Sequence, residues 1–185
     1  PLDCYAGADA NLQEVTPQGV HICIDTPDEE AITADQLWYV KVYLESAEQD
    51  IYVRGDLSRI NAASFADWYL VNELYRNYDA AFYSSAFLWK DHPSAAVPSD
   101  RVLNMGPLWD FDIGAGNYGY EDAWQPEGCW VTKSREGMPN WFIALFRSPE
   151  FLDLVRARWQ DRRPALERLV DASIAAFARR LEAAQ

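Results

Sequence analysis

The sequence predicts an α+β fold, mostly helical, with one β-hairpin that carries acidic residues at its edge. Three observations lead there. Helix-start signals precede apolar residues at three- and four-residue spacing, early in the chain and again from residue 140 onward. Two short β-type runs, 85–90 and 101–109, flank a turn rich in Pro and Ser. Acids stand just past the ends of elements, at Asn77-Tyr78-Asp79 and at Trp109-Asp110-Phe111-Asp112, the second pair followed by glycines.

Taken in order, residues 1–25 are expected to form loop and a short strand at a truncated domain edge, and 26–185 a single helical domain. The polar run 1–19 reads as loop. Val20 to Asp25 is a β-type run ended by Thr26-Pro27-Asp28. Thr33 and Gln36 fit a capping box ahead of a helix over about 34–48, with Leu37, Val40, Lys41 and Leu44 on one face. Ser64 is expected to cap a second helix with a broad apolar face (Phe65, Trp68, Tyr69, Leu70, Leu74) that ends near 76–77. After the hairpin comes a long irregular loop to about Pro139. Trp141, Phe142, Leu145 and Phe146 form the stripe of a further helix. Ser148-Pro149-Glu150 starts the next, because Pro is tolerated at a first helical position. Pro164 is expected to break or kink it, with a last helix running to about Glu182.

Composition narrows the function. Apolar residues at 49% and aromatics at 14%, eight of them Trp, support a packed core. A net charge of -13 repels nucleic acid and anionic lipid, which are bound by basic patches, and it repels a nucleotide unless a divalent cation lies between. No apolar run approaches the roughly 18 residues of a membrane span. Cys4, Cys23 and Cys129 show no zinc-ligand spacing, and their odd number allows one disulfide with a thiol left over.

The acids are the candidates for chemistry. Phosphoryl transfer needs a carboxylate beside the acceptor hydroxyl and one or two more holding magnesium against the phosphates. Asp79 is followed five residues on by Ser84, then strand, turn, strand and Asp110, an order like that of a protein kinase's catalytic loop and metal-binding acid. Asp110 and Asp112, so close in sequence, repel each other unless a cation or a shared proton intervenes. Asn72 and Glu73 are expected to support the loop from the helix, and Asn77 to stiffen it through backbone hydrogen bonds. Trp109 and Phe111 are expected in the core. Arg156, Arg158, Arg162 and Arg163 are expected on a solvated helix face.

Several separated motifs, in order, resemble the spore coat protein H (CotH) kinase family. They are Ser64-Phe65 with Asp67, Tyr69-Leu70, Asn72-Glu73-Leu74, Asn77 and Asp79; then Lys90-Asp91; then Gly106-Pro107-Leu108-Trp109-Asp110-Phe111-Asp112 with Gly116-Asn117. Pro27-Asp28-Glu29-Glu30, Ile32-Thr33 and Gln36 fit its lead-in, and Trp141-Phe142 through Ser148-Pro149-Glu150-Phe151 to Arg158-Trp159 its C-terminal helices. The resemblance implies a lobe like the larger lobe of a protein kinase. It implies an atypical kinase that uses ATP and Mg2+ or Mn2+ to phosphorylate protein Ser/Thr, in a bacterial spore coat or cell envelope. By position, Asp79 matches the catalytic-loop acid and Asp110 the metal-binding acid, with Asp112 and Ser84 as further metal ligands and Asn117 in support. The lysine that would hold the nucleotide phosphates has no counterpart here, Lys41 being poorly placed on the first helix. The isolated chain is therefore expected to be an inactive fragment whose exposed lobe face is apolar and suited to homodimerisation. Two other functions fit the sequence: a non-catalytic kinase-like binding module, or a carbohydrate-active domain with two carboxylates across a Trp-lined groove.

Overall fold

A computed structural model describes residues 12–28, 30–80, 82, 85–119, 124–133 and 139–182. The architecture is α+β and mostly helical. Among the described residues two small antiparallel sheets, β1 (Gln13–Val15) with β2 (His21–Cys23) and β3 (Leu88–Trp89) with β4 (Asn104–Met105), accompany four α-helices. These are α1 (Ala34–Gln49), α2 (Ala62–Tyr75), α3 (Trp141–Leu145) and α4 (Pro149–Glu182).

β1 lies inside the run expected to be loop. Its short sequence shows no clear alternation; the turn makes the pairing. The Thr16 amide donates to the Val20 carbonyl at 2.9 Å, the Val20 amide donates back to Thr16 Oγ1 at 3.0 Å, and Gly19, at φ +87°, donates to the Thr16 carbonyl and closes the turn. Cys23 is disulfide-bonded, Cys129 carries a free thiol, and Cys4 lies outside the described residues.

α1 starts at the predicted capping box: Thr33 accepts from the Gln36 amide while the Gln36 side chain accepts from the Thr33 amide. It runs on into a π-helical turn, Asp50–Arg54, closed by Gly55 in the left-handed region. Two buried carboxylates at this junction hold the N-terminal half together. Glu48 accepts from Thr16 Oγ1 at 2.5 Å, the Gln18 amide at 2.8 Å and Trp141 Nε1 at 2.8 Å. Asp50 pairs with Arg54 and, at 2.6 Å, with Arg59. Lys41 is paired with Glu14 of β1 at 2.8 Å.

α2 is the central helix. Its cap is Asn61, not Ser64; Asn61 Oδ1 accepts from the Ser64 amide. Ser64 sits one turn in, and its hydroxyl accepts from the Met105 amide at 3.1 Å. Asn61 Nδ2 also donates to Asn104 Oδ1 at 2.7 Å, so the start of α2 holds β4 in place. Phe65, Trp68 and Tyr69 pack on Phe142, with Trp68 stacked on it at 5.5 Å. Phe65, Trp141, Phe142 and Phe151 are fully buried. Each such side chain contributes about 1.5–3 kcal/mol of transfer free energy, which makes this aromatic cluster the main anchor of the fold.

Pro164 does not divide the C-terminal segment; α4 is one helix from Pro149 to Glu182. The proline removes one amide donor and crowds the Gln160 carbonyl, and both residues lie on exposed helix where water can serve that carbonyl. Arg158, expected to be solvated, is half-buried and donates to Asp67 Oδ1 at 3.0 Å, tying α4 to α2. No described helix is long and apolar enough to cross a membrane.

Candidate functional site

The site is built at the C-terminus of α2. Arg76 ends the helix in the left-handed region (φ 49°) while its amide still reaches the Asn72 and Glu73 carbonyls. That reversal turns the chain into Asn77 and a short 3-10 turn, Tyr78–Ala80, which carries Asp79 half-buried. Asn77 is almost wholly buried. Its Nδ2 donates to Asn72 Oδ1 at 3.1 Å and to the Asp110 backbone carbonyl at 3.2 Å. Its Oδ1 accepts from the Asp79 amide at 3.3 Å. Asn72, also buried, is oriented by donating to the Trp68 carbonyl at 2.9 Å. One side chain thus links the loop bearing Asp79 to the turn bearing Asp110, thirty-three residues later.

β4 leads through Gly106-Pro107 to Asp110, a non-glycine residue at φ 58°. Asp tolerates this region better than most residues, but the conformation still costs energy, as strained backbone at working sites often does. The Asp110 carboxyl is solvent-exposed and close enough to that of Asp112 to share a hydrogen bond when one of the two is protonated, and the Ser85 hydroxyl donates to its Oδ2 at 3.4 Å. The bond and the charge of Asp112 push the Asp110 pKa above the ordinary carboxylate value, Asp112's hydrogen bond being the largest cause.

Residues 25–184 match the family described as CotH kinase protein. This chain belongs to the CotH kinase family. No curated protein and no solved structure matches it.

In this CotH-family chain the loop after Asp110 is held against the same helix end. The Ala115 amide donates to the Tyr75 carbonyl at 2.5 Å, and the Tyr75 and Phe111 rings meet edge to face at 5.4 Å. Gly114 lies so close that a Cβ there would stand 3.1 Å from the Tyr75 carbonyl oxygen and 3.2 Å from that of Phe111. Asn117 Nδ2 donates to the Asp112 carbonyl at 2.6 Å and closes the turn. Glu73, on the other side of the helix end, accepts from the Trp130 and Val131 amides at 2.6 and 2.9 Å. Burial raises its pKa, and those two amides oppose the rise. Tyr78 of the 3-10 turn packs its ring, tilted, against those of Tyr118 and Trp130, with the Arg76 guanidinium 5.1 Å over Trp130. Asn72, Asn77 and Asn117 therefore make hydrogen bonds that hold the segments carrying the acids, whereas Glu73, expected to support the same loop, holds the 130–131 segment instead.

Ser84 lies outside the described residues. Among the described residues no three His, Cys, Asp or Glu side chains come together as a metal-binding group. The described side chains supply the Asp110–Asp112 pair, oxygen donors that fit Mg2+ or Mn2+ and not a thiolate- or imidazole-seeking metal. Mg2+ is commonly held by one or two carboxylates, with water and phosphate oxygens filling the rest, so the pair is sufficient in number.

Trp109 departs from expectation: it is 59% exposed and meets Phe87 edge to face at 6.3 Å. With Phe87, Trp89 and Leu108 it forms an apolar rim on the hairpin. A groove of about 640 Å³ runs beside it between α2 and β4, lined by Trp68, Val71, Trp89, Met105 and Pro107 among others. The hubs Glu48 and Asp50 were not singled out in the sequence. Glu48 did leave one signal: it follows Leu44 by four residues, on the buried side of α1.

Proposed function

We propose that this CotH-family chain provides the acceptor-side and metal-side residues of an ATP- and divalent-metal-dependent protein serine/threonine kinase. The observation that supports it most is the Asn77 bridge, which holds the Asp79 loop and the Asp110 turn to a common buried amide. In this reading Asp79 orients the acceptor hydroxyl and takes its proton as the oxygen bonds to the γ-phosphorus and the bond from that phosphorus to the bridging oxygen breaks, releasing ADP. Asp110 and Asp112, with Ser84, would hold Mg2+ or Mn2+, which supplies positive charge against the nucleotide's phosphates. Lys41 is engaged by Glu14, and no lysine of this chain is assigned to the phosphates. Coat or envelope proteins of bacteria are the acceptor class the family name suggests.

A non-catalytic binding module is the second reading, favoured by the engagement of Lys41 with Glu14, which leaves no lysine of this chain assigned to the nucleotide phosphates. A glycosidase needs carboxyls roughly 5–9.5 Å apart; Asp110 and Asp112 interact too closely for that, so Asp79 with Asp110 would have to serve.

The test is phosphate transfer from γ-labelled ATP to serine-containing protein with Mg2+ or Mn2+, made with the full-length protein. Asp79→Asn and Asp110→Ala should each lower incorporation at least about 100-fold. Undiminished transfer in both variants removes these roles. Nucleotide binding without transfer in the wild type favours the binding module.

A further inference from the structure

The last helix carries a surface that the fold does not use. α4 buries only Phe151 and Val155, and from residue 161 onward none of its described residues is buried. Yet Leu169, Val170, Ile174, Phe177 and Leu181 are 51–67% exposed there. Leu166, Val170, Ile174, Phe177 and Leu181 succeed one another at spacings of four, four, three and four, which puts them on one stripe of an α-helix. From Leu166 to Leu181 the stripe is about 22 Å long.

The two edges of the stripe differ in sign. Glu167 and Asp171 border one side. Arg162 and Arg180, separated by five whole turns, border the other. Two such helices laid side by side and parallel bring unlike edges together, as e and g positions meet in a coiled coil, and Arg162 then faces Glu167 of a second copy, in exchange for the exposed, weak pairs each makes within its own helix, Arg162 with Asp161 at 3.4 Å and Glu167 with Arg163 at 2.7 Å. An antiparallel pair would set acid against acid and arginine against arginine. The segment is also the place where two copies of so acidic a chain repel least. Residues 161–182 hold five arginines against four acids, while the whole chain carries a net charge of -13.

We propose that the distal half of α4 is a self-association surface, on which two copies of this chain pair in parallel through the Leu166–Leu181 stripe. Two stripes of this length bury on the order of the 1,000 Å² that a specific interface needs, so the dimer should dissociate on dilution. The proposal is independent of the phosphotransfer reading.

Sedimentation of the 185-residue chain over a range of concentrations tests it. The expected result is a reversible monomer–dimer equilibrium that Ile174→Asp and Phe177→Asp each shift to monomer, at least tenfold in Kd. Both side chains are more than 60% exposed, so circular dichroism and the melting temperature should not change. Arg162→Glu should weaken the dimer several-fold, and Arg162→Glu with Glu167→Arg should restore it. A chain monomeric at every concentration overturns the proposal. So does a dimer indifferent to both stripe variants but broken by Trp109→Asp, which would put the contact on the hairpin rim. Tighter association of Arg162→Glu alone overturns the parallel arrangement.

Discussion

The side-chain amide of Asn77 donates to the backbone carbonyl of Asp110 at 3.2 Å, and the same residue's oxygen accepts from the Asp79 amide at 3.3 Å. A buried amide used in this way sets where two loops lie relative to each other. Water cannot replace it, because the residue is 1% exposed.

Asn77→Ala should therefore destabilise the chain by about 2–3 kcal/mol, since it strands an amide and two acceptors in the interior. Asn77→Asp keeps the acceptor for Asp79 but loses both donated bonds, so it should also be impaired. Urea unfolding measures the stability loss. Phosphate transfer should fall further than the folded fraction does, because the two loops lose their common support.

Glu48 joins the β1–β2 turn, α1 and α3 through three donors. A glutamine there offers one acceptor oxygen in place of two. Glu48→Gln should cost about 2–3 kcal/mol, read from the urea midpoint. Trp141→Phe removes one of the donors and should cost less.

The carboxyl pair gives a pH dependence to metal binding. Asp112 holds the Asp110 pKa above its ordinary value, so at acid pH the pair retains a proton that a cation must displace. Mn2+ affinity should rise with pH until Asp110 is fully ionised, as titration calorimetry without nucleotide would record. In Asp112→Asn the rise should move to lower pH, and affinity should drop about tenfold or more. Identical pH profiles for the two proteins would exclude the coupling.

Burial raises the pKa of Glu73 above its ordinary 4.5. The folded chain then retains this proton at a pH where the unfolded chain has released it. Stability due to this group is present below about pH 4.5 and declines as pH rises through the higher folded value. Glu73→Gln removes that dependence. The stability advantage of wild type over Glu73→Gln should narrow as pH rises above about 4.5, measured by urea unfolding.

Gly114→Ala should cost about 1–2 kcal/mol, because its Cβ would press on the Tyr75 and Phe111 carbonyls, which are backbone and yield little. Faster hydrogen exchange across 110–117, with the core unchanged, is the expected signature.

Local signals in the chain determined the start of α1, the C-terminal end of α2 and the Phe65, Trp68 and Tyr69 part of its apolar face (Leu74, expected there too, is exposed), the start of α4, the hairpin, and which acids follow element ends. Capping boxes, helical spacing and turn residues act over a few positions, so they can be read from neighbours alone. Tertiary structure decided the rest. Asn61 rather than Ser64 caps α2 because Ser64 is engaged by the Met105 amide, forty-one residues away. Trp109 is exposed because the chain reverses at Asp110, not because of any property of tryptophan. Asn77 reaches Asp110, and Glu48 reaches Trp141, only once helices far apart in sequence have packed. Such contacts depend on the mutual placement of elements, and no pattern within one element specifies where another will lie.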